Sequence, residues 1–420
     1  MQILKFPFED VPQFADRDRA YALKYPTLRP FYKYEVNLQT FAQVFQDKSK
    51  ELINREVLVK VLHDQYQQFP SSPLVQAQIE KLAHPTTFTV VTAHQPSLFT
   101  GPLYFIYKII SVINLAELIN QHYPDYHVVP VFVMGSEDHD FDEINHLHLF
   151  GKRIEWKNDE QGAVGMMKTT SLLPVLEELK GILGESENAQ QLFNLMHQAV
   201  TTYTHYGTAI QYFVNELFKQ YGLVVFNMNE PALKRLFIPY IKQEVFEQTA
   251  QPVVEATQQA LNKLGFASQA MPRAINFFYM MEQLRNRIVQ EDNTFKVLGT
   301  DLVFTASEMN TEIETYPERF SPNVVMRPVY QEIILPNLAY IGGGGELAYW
   351  QERQKQFEQL GVNFPMLIRR NSAMLVDSGS LKRLEKLGLQ MPDLFEATEH
   401  LIKRFLKDNA ESELSLNHEK

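Results

Sequence analysis

Between Val36 and Leu82 apolar residues recur at three- and four-residue spacing, with Phe41, Val44, Leu52, Val57, Val61, Leu62 and Tyr66 as candidate buried positions. The spacing predicts a helical lead-in, which His84-Pro85 breaks. Phe88 to Thr92 is β-branched and reads as a first strand. A polar loop follows, carrying His94, Gln95, Ser97 and Thr100, and Gly101-Pro102 then opens an apolar helical segment through Leu118. VVPVFVMG, after a turn at Asp125 to His127, is the compact apolar run of a strand buried in a parallel sheet. Strand, helix and strand in succession predict a right-handed βαβ unit.

Helical periodicity resumes at Leu172 to Leu183 and Ala189 to Tyr221. LVVFNMNEP, Leu223 to Pro231, predicts a third buried strand and the start of a helix running to Leu264. INFFYM, NRIVQ and FKVLG, separated by polar turns between Gln269 and Val303, predict an inserted antiparallel subdomain. Sheet character returns at Val324 to Leu335, Leu338 to Ile341 and Met366 to Ile368, with a GGGGE turn and a helix from Leu347 to Leu360 between them. Leu381 to Leu406 carries Leu394, Leu401 and Phe405 at helical spacing, and the final KDNAESELSLNHEK reads as a frayed tail. The whole pattern is α/β.

The 420 residues suffice for a large core, and a net charge of −11 argues against nucleic acid or an anionic membrane as a partner. There is no cysteine, hence no disulfide, thiolate nucleophile or thiolate metal ligand. Acidic residues interrupt the first twenty positions where a signal peptide would be apolar, and no apolar run reaches the ~18 residues of a membrane span. The expected location is cytoplasmic.

Two stretches carry candidate chemistry. The first is the loop after the first strand, because free N–H groups and the dipole at a helix start attract phosphate or carboxylate. Tyr104 and Lys108, one turn apart, face the same direction. The second is SEDHDFDEINHLHL, which holds Glu137, Asp138, His139, Asp140, Asp142, Glu143, His146 and His148. It fails as a calcium loop, since Glu143 and Leu149 stand where glycine and a bidentate Glu are needed. Acid–base use of His139 between Asp138 and Asp140 is one reading; a transition-metal site of His139, His146 and carboxylates, without a recognised ligand spacing, and a solvated acidic loop are the others. The loops after neighbouring parallel strands share one crevice, so these two should face each other. GGGGE, Gly342 to Glu346, is neither a P-loop nor a complete dinucleotide fingerprint, but it lets a ligand approach backbone. Arg327, Arg369, Arg370 and Lys108 are candidate anion partners. Tyr349-Trp350 either stacks on a base or closes the core.

HQPSLFTGPLY, SEDHDFDEINH and MRPVYQEIILPNLAYIGGGGELAYW together resemble the cysteine-adding enzymes of bacillithiol biosynthesis, the BshC family. The resemblance implies a Rossmann-like parallel-sheet core of the class I synthetase and nucleotidylyltransferase type, with two insertions and a helical C-terminal arm, here truncated. Its divisions fall at 1–85 (helical lead-in), 86–150, 222–250 and 322–378 (core), 151–221 (first insertion, helical), 251–321 (second insertion, mixed α/β) and 379–420 (start of the coiled-coil arm and tail).

The implied reaction joins the carboxyl of L-cysteine to the amino group of glucosaminyl-malate, with ATP as the expected activating co-substrate and metal use undetermined. Gln95, Thr100, Gly101, Tyr104 and Lys108 match the first motif; Glu137, Asp138, His139, Asp140, Glu143 and His146 match the second. Arg327, Gln331, Glu332, Gly342, Gly343, Gly345, Glu346, Tyr349 and Trp350 match the third. In the expected roles, His139 with Asp138 holds the amine and removes its proton, Arg327 offsets developing charge, and His94 and Lys108 meet either ATP phosphates or the malate carboxylates. The family's homodimer is in question for so short an arm. Three other readings stay open: a nucleotidylyltransferase on another small anion, a metal-dependent hydrolase built on Glu137 to His148, and a non-catalytic arm-less paralogue.

Overall fold

A computed structural model describes residues 2–70 and 72–408. The strands, in chain order, are β1 (Thr87–His94), β2 (His127–Met134), β3 (His146–Leu149), β4 (Lys152–Glu155), β5 (Val224–Asn227), β6 (Phe277–Met281), β7 (Leu284–Glu291), β8 (Thr294–Val297), β9 (Val303–Phe304), β10 (Phe320–Pro322), β11 (Asn337–Gly342) and β12 (Met366–Arg369).

Five of them form one parallel sheet in the order β12-β11-β1-β2-β5. Taken from the β5 edge and numbered by succession, that order is 3-2-1-4-5, the doubly wound Rossmann arrangement. Its direction of winding reverses between β1 and β11, and the carboxyl ends of these two strands therefore open a crevice. The sheet can be this apolar because both its faces are covered: Phe88, Val90, Val91, Val128, Val131, Phe132 and Val133 are all at most 1% exposed. Helix Tyr104–His122 packs Phe105, Ile109 and Val112 against it.

A second sheet, antiparallel, has the order β10-β6-β7-β8-β9, which is the predicted subdomain with two strands the periodicity did not show. β3 and β4 pair as a hairpin, so the segment expected to be helical begins with strand and continues as helices Leu173–Leu183, Glu187–Thr202 and Tyr206–Phe218.

Two expectations are corrected and a third is made finer. Val324 to Leu335 is not a strand: Arg327–Ile334 is a helix, with Pro328 in its first turn and Pro328, Val329, Tyr330, Gln331, Glu332 and Ile334 buried. At eight residues the helix is little more than two turns, too short for its period to stand out beside the apolar Ile333, Ile334 and Leu335 at its end, which read as strand. The helix expected from Pro231 to Leu264 is two, Pro231–Glu247 and Ala250–Lys263, because Gln248 ends the first at φ +54°. The C-terminal segment is not one continuous helix, since Gly388 at φ +68° and Pro392 separate Ser378–Lys386 from Thr398–Asp408.

The chain divides into two compact units. Residues 27–371 hold both sheets. The other unit combines residues up to 26 with those from 372 onward; there Phe6 meets Phe395 edge-on at 5.1 Å and Gln13 Nε2 donates to the Phe395 carbonyl at 2.9 Å. Of the expected frayed tail, residues 409–420 lie outside the described residues. No helix among the described residues is long and apolar enough to cross a membrane.

Candidate active site

The loop leaving β1 is bent by three consecutive residues at positive φ: Phe99 (+44°), Thr100 (+75°) and Gly101 (+51°). Only glycine fits the last place, where a Cβ would lie 2.8 Å from Ser97 Cβ. The bend delays the helix to Tyr104, and two of these residues carry side chains that disfavour such backbone. Across the crevice, β11 ends in Gly342-Gly343, and helix Gly344–Gln351 is started by Glu346, whose Oε2 accepts from the Gly343 N–H at 2.9 Å.

Between these loops sits a buried ion pair. Lys108 Nζ, 0% exposed, meets Glu346 Oε1 at 2.7 Å and also donates to the Ala93 carbonyl. Tyr340 OH donates to the same carboxylate oxygen at 2.8 Å. Burial pushes Glu346 upward, but Lys108 and then His94 outweigh it and hold the carboxyl below its usual range. Lys108 is thus already neutralised, and an incoming phosphate would compete with Glu346 for it. His94 lies beside this pair, its ring 5.4 Å from those of Tyr104 and Phe105. Burial, then the Lys108 ammonium, pulls its imidazole down to about 4. Its Nδ1 is 3.0 Å from the Gln95 carbonyl and 3.4 Å from Ser97 Oγ. Arg327 holds Gln331 Oε1 at 3.2 Å and Tyr349 OH at 3.4 Å. The Arg370 guanidinium lies 5.1 Å over the Tyr104 ring.

The loop after β2 faces the β1 loop, as expected. Gln95 Nε2 donates to Asp138 Oδ2 at 2.8 Å. The first two acids of that loop are each matched by a buried cation from elsewhere. Glu137 Oε2 accepts from Lys234 at 2.9 Å; Lys234 is 0% exposed and also donates to the Phe320 carbonyl at 3.0 Å. Asp138 Oδ1 is 3.4 Å from Arg285 Nη1, which also donates to His139 Nδ1. Arg285 itself is gripped by Ser321 Oγ at 3.0 Å from Nε and by the Phe278 ring 4.1 Å beneath it. Burial raises Asp138, but Arg285 and Gln95 outweigh it and keep it ionised well into acid. Burial, then Arg285, lowers His139.

His94, Gln95, Thr100, Gly101, Tyr104, Lys108, Glu137, Asp138, His139, Arg327, Gly342, Gly343, Gly345, Glu346 and Tyr349 thus stand on the loops and helix starts bordering one crevice. Others do not. Glu332, 0% exposed, accepts from Gln331 and from Asn337 at 2.8 Å each, inside the fold. Trp350 is also 0% exposed and stacks on Tyr340 at 4.5 Å, so it closes the core. His146 lies on β3, with Asn145 Oδ1 at 3.0 Å and the His148 ring at 5.6 Å. Asp140 precedes the short helix Phe141–Ile144 without capping it. Among the described residues no group of three or more His, Asp or Glu side chains is arranged to hold a metal ion.

Sequence reasoning missed Lys234, Arg285 and Tyr340. Lys234 had a signal: it shares the stripe of Phe237, Ile241 and Val245, where a charged residue must find a partner. Arg285 had none, since only Arg285 and Ile288 of β7 are buried and the strand does not alternate.

A family model described as bacillithiol biosynthesis BshC, N-terminal Rossmann-like domain, matches residues 1–371. A relative from Flavobacterium psychrophilum is 40% identical over 404 residues, spanning 95% of this chain and 76% of its own length. One from Flavobacterium johnsoniae is 41% identical over 377 residues, 89% of this chain and 71% of its own. One from Cytophaga hutchinsonii is 37% identical over 415 residues, 99% and 78% respectively. Each of the three bears the name "Putative cysteine ligase BshC". With the Rossmann order, the three motif loops on one crevice and these matches in hand, the chain belongs to the BshC family of bacillithiol biosynthesis.

Proposed function

We propose that this chain is a cysteine ligase that joins the carboxyl of L-cysteine to the amino group of glucosaminyl-malate, using ATP to activate the carboxyl. The observation that carries the reading is the convergence of the β1, β2 and β11 loops on the switch-point crevice of a BshC-family fold. Amide formation from a free carboxylate is uphill at neutral pH, so the carboxyl needs a leaving group; an acyl phosphate or acyl adenylate, a mixed anhydride formed with ATP, supplies one.

The Gly343–Gly345 backbone suits the nucleotide. A Cβ at Gly345 would meet nothing within 4 Å, and one at Gly343 would meet Arg370 Nε at 3.4 Å, so bare backbone is open to a flat ligand with a cation beside it. Arg327 and the helix start at Gly344 supply positive potential for phosphate, and Lys108 adds to it only where the phosphate displaces Glu346. Asp138, ionised and half-exposed, receives the substrate ammonium and orients it as the free amine forms. Incubating purified protein with L-cysteine, glucosaminyl-malate and ATP, with mass-spectrometric detection of cysteinyl-glucosaminyl-malate, tests the proposal. Product that requires all three is expected. Folded protein that yields none refutes it, and release of pyrophosphate rather than phosphate identifies adenylate activation.

A further inference from the structure

The two histidines beside the crevice are held in opposite tautomers. A carbonyl oxygen only accepts, so the 3.0 Å contact from His94 Nδ1 to the Gln95 carbonyl places a proton on Nδ1 and leaves Nε2 as a lone pair. A guanidinium only donates, so the bond from Arg285 Nη1 takes the Nδ1 lone pair of His139 and leaves the proton on Nε2. Gln95 ties the two together, its backbone fixing His94 and its side chain bonding Asp138, which shares Arg285 with His139. The charged groups around His139 are Asp138, Asp140 and Arg285; those around His94 are Lys108, Glu346 and Arg370.

We propose that His94, not His139, is the proton acceptor of amide formation, and that His139 serves as a neutral hydrogen-bond donor through Nε2 with Arg285 as the residue that positions it. The assignment of roles rests on the ligase reading above; the tautomers do not. As the amine attacks the activated carboxyl, its nitrogen lone pair forms the C–N bond and the carbonyl pair moves onto oxygen. The proton lost by nitrogen passes to His94 Nε2; burial and Lys108 hold that imidazole down to about 4 in the free protein, so the imidazolium forms as phosphate draws Lys108 away and leaves the Glu346 carboxylate to balance it. The carbonyl then re-forms as the C–O bond to the phosphoryl group breaks, its electron pair leaving with the phosphate oxygen. His139 Nε2–H steadies the oxyanion without giving up its proton.

Two measurements test this. Long-range ¹H–¹⁵N spectra of protein labelled with ¹⁵N-histidine report each tautomer without any substrate. A protonated Nδ1 on His94 and a protonated Nε2 on His139 are expected, assigned by the signals lost in His94→Asn and His139→Gln. A protonated Nδ1 on His139, or a protonated Nε2 on His94, overturns the proposal even where the ligase assay succeeds. Arg285→Met frees His139 Nδ1 next to Asp138 and raises the pH at which the ring titrates; an unmoved titration also overturns it.

In the ligase assay, His139→Gln keeps an N–H near the Nε2 position and retains activity within about tenfold, while His139→Ala does not. His94→Asn keeps a donor to Gln95 but has no base, and lowers kcat about 100-fold or more with little change in KM. Equal losses in His139→Gln and His139→Ala, or an active His94→Asn, refute the assignment. Absence of product from the unmodified chain would instead refute the ligase reading and leave the tautomers standing on the spectra.

Discussion

Glu332 belongs to a motif that suggested ligand binding, yet its carboxyl is sealed in the fold, and replacing it with glutamine should raise stability at alkaline pH. Oε1 already accepts two hydrogen bonds, from Gln331 and Asn337. Oε2 is buried and has no hydrogen-bond partner among the described residues. Lys48 Nζ comes within 4.0 Å of it, a range that counts as an ion pair, but Lys48 is bonded more closely to Glu51 at 2.5 Å and to the Glu332 backbone carbonyl at 2.7 Å. Burial therefore prevails over Lys48, and the carboxyl is pushed from its ordinary 4.5 up to about 7.

A group whose proton is held more tightly in the folded state contributes stability below its unfolded pKa and loses it as pH rises through the folded one. At about 1.4 kcal/mol for each tenfold in proton affinity, the rise from 4.5 to about 7 is worth about 3 kcal/mol. Glutamine keeps both accepted bonds and never ionises. Urea unfolding of the unmodified chain and Glu332→Gln at about pH 5 and about pH 9 should therefore show the difference in stability swing by about 2 to 3 kcal/mol toward the variant, other titrations cancelling. A swing below about 1 kcal/mol, or one of opposite sign, would refute the account and return Glu332 to a working ion pair with Lys48.

Lys234→Met strands the Glu137 carboxylate, whose side chain is only 14% exposed, and should cost about 3 kcal/mol by denaturant unfolding, with much of the loss recovered when Glu137→Gln is added. Gly101→Ala forces a Cβ against Ser97 at φ +51° and should cost about 1 to 3 kcal/mol in the same assay, with ligase activity falling as the β1 loop shifts. Trp350→Ala should cost about 3 to 5 kcal/mol in stability while leaving KM for ATP unchanged; a raised KM with normal stability would instead make Trp350 part of the nucleotide site.

The core strands were legible because a strand covered on both faces is apolar or β-branched along its length, as VVPVFVMG and the Thr- and Val-rich run before His94 are. The facing of the β1 and β2 loops followed from parallel topology alone, and the Gln95–Asp138 bond bears it out. The helix Arg327–Ile334 was hidden by its length, since eight residues are little more than two turns and the apolar run from Ile333 to Leu335 at its end reads as strand. Within the acidic run, composition could not tell which charges face solvent. Glu137 and Asp138 meet Lys234 and Arg285, which come from a helix and a strand 97 and 147 positions away in the chain, and of the two acids only Asp138 keeps a side open to solvent. Spacing can mark a lysine on an apolar stripe, but it carries no information about which carboxylate will meet it.

Arg285 reaches His139 across 146 residues. Contacts of such separation form late, because the loop they close must be ordered before they contribute. β1 and β2 adjoin in sequence and can pair early, whereas the orientation of His139 waits for the antiparallel sheet to be made and to dock. During synthesis the parallel strands β1, β2 and β5 emerge before β7 does. The β1–β2 wall of the crevice can therefore form before Arg285 arrives to orient His139, and a partial opening that detaches β7 frees His139 while leaving that wall in place.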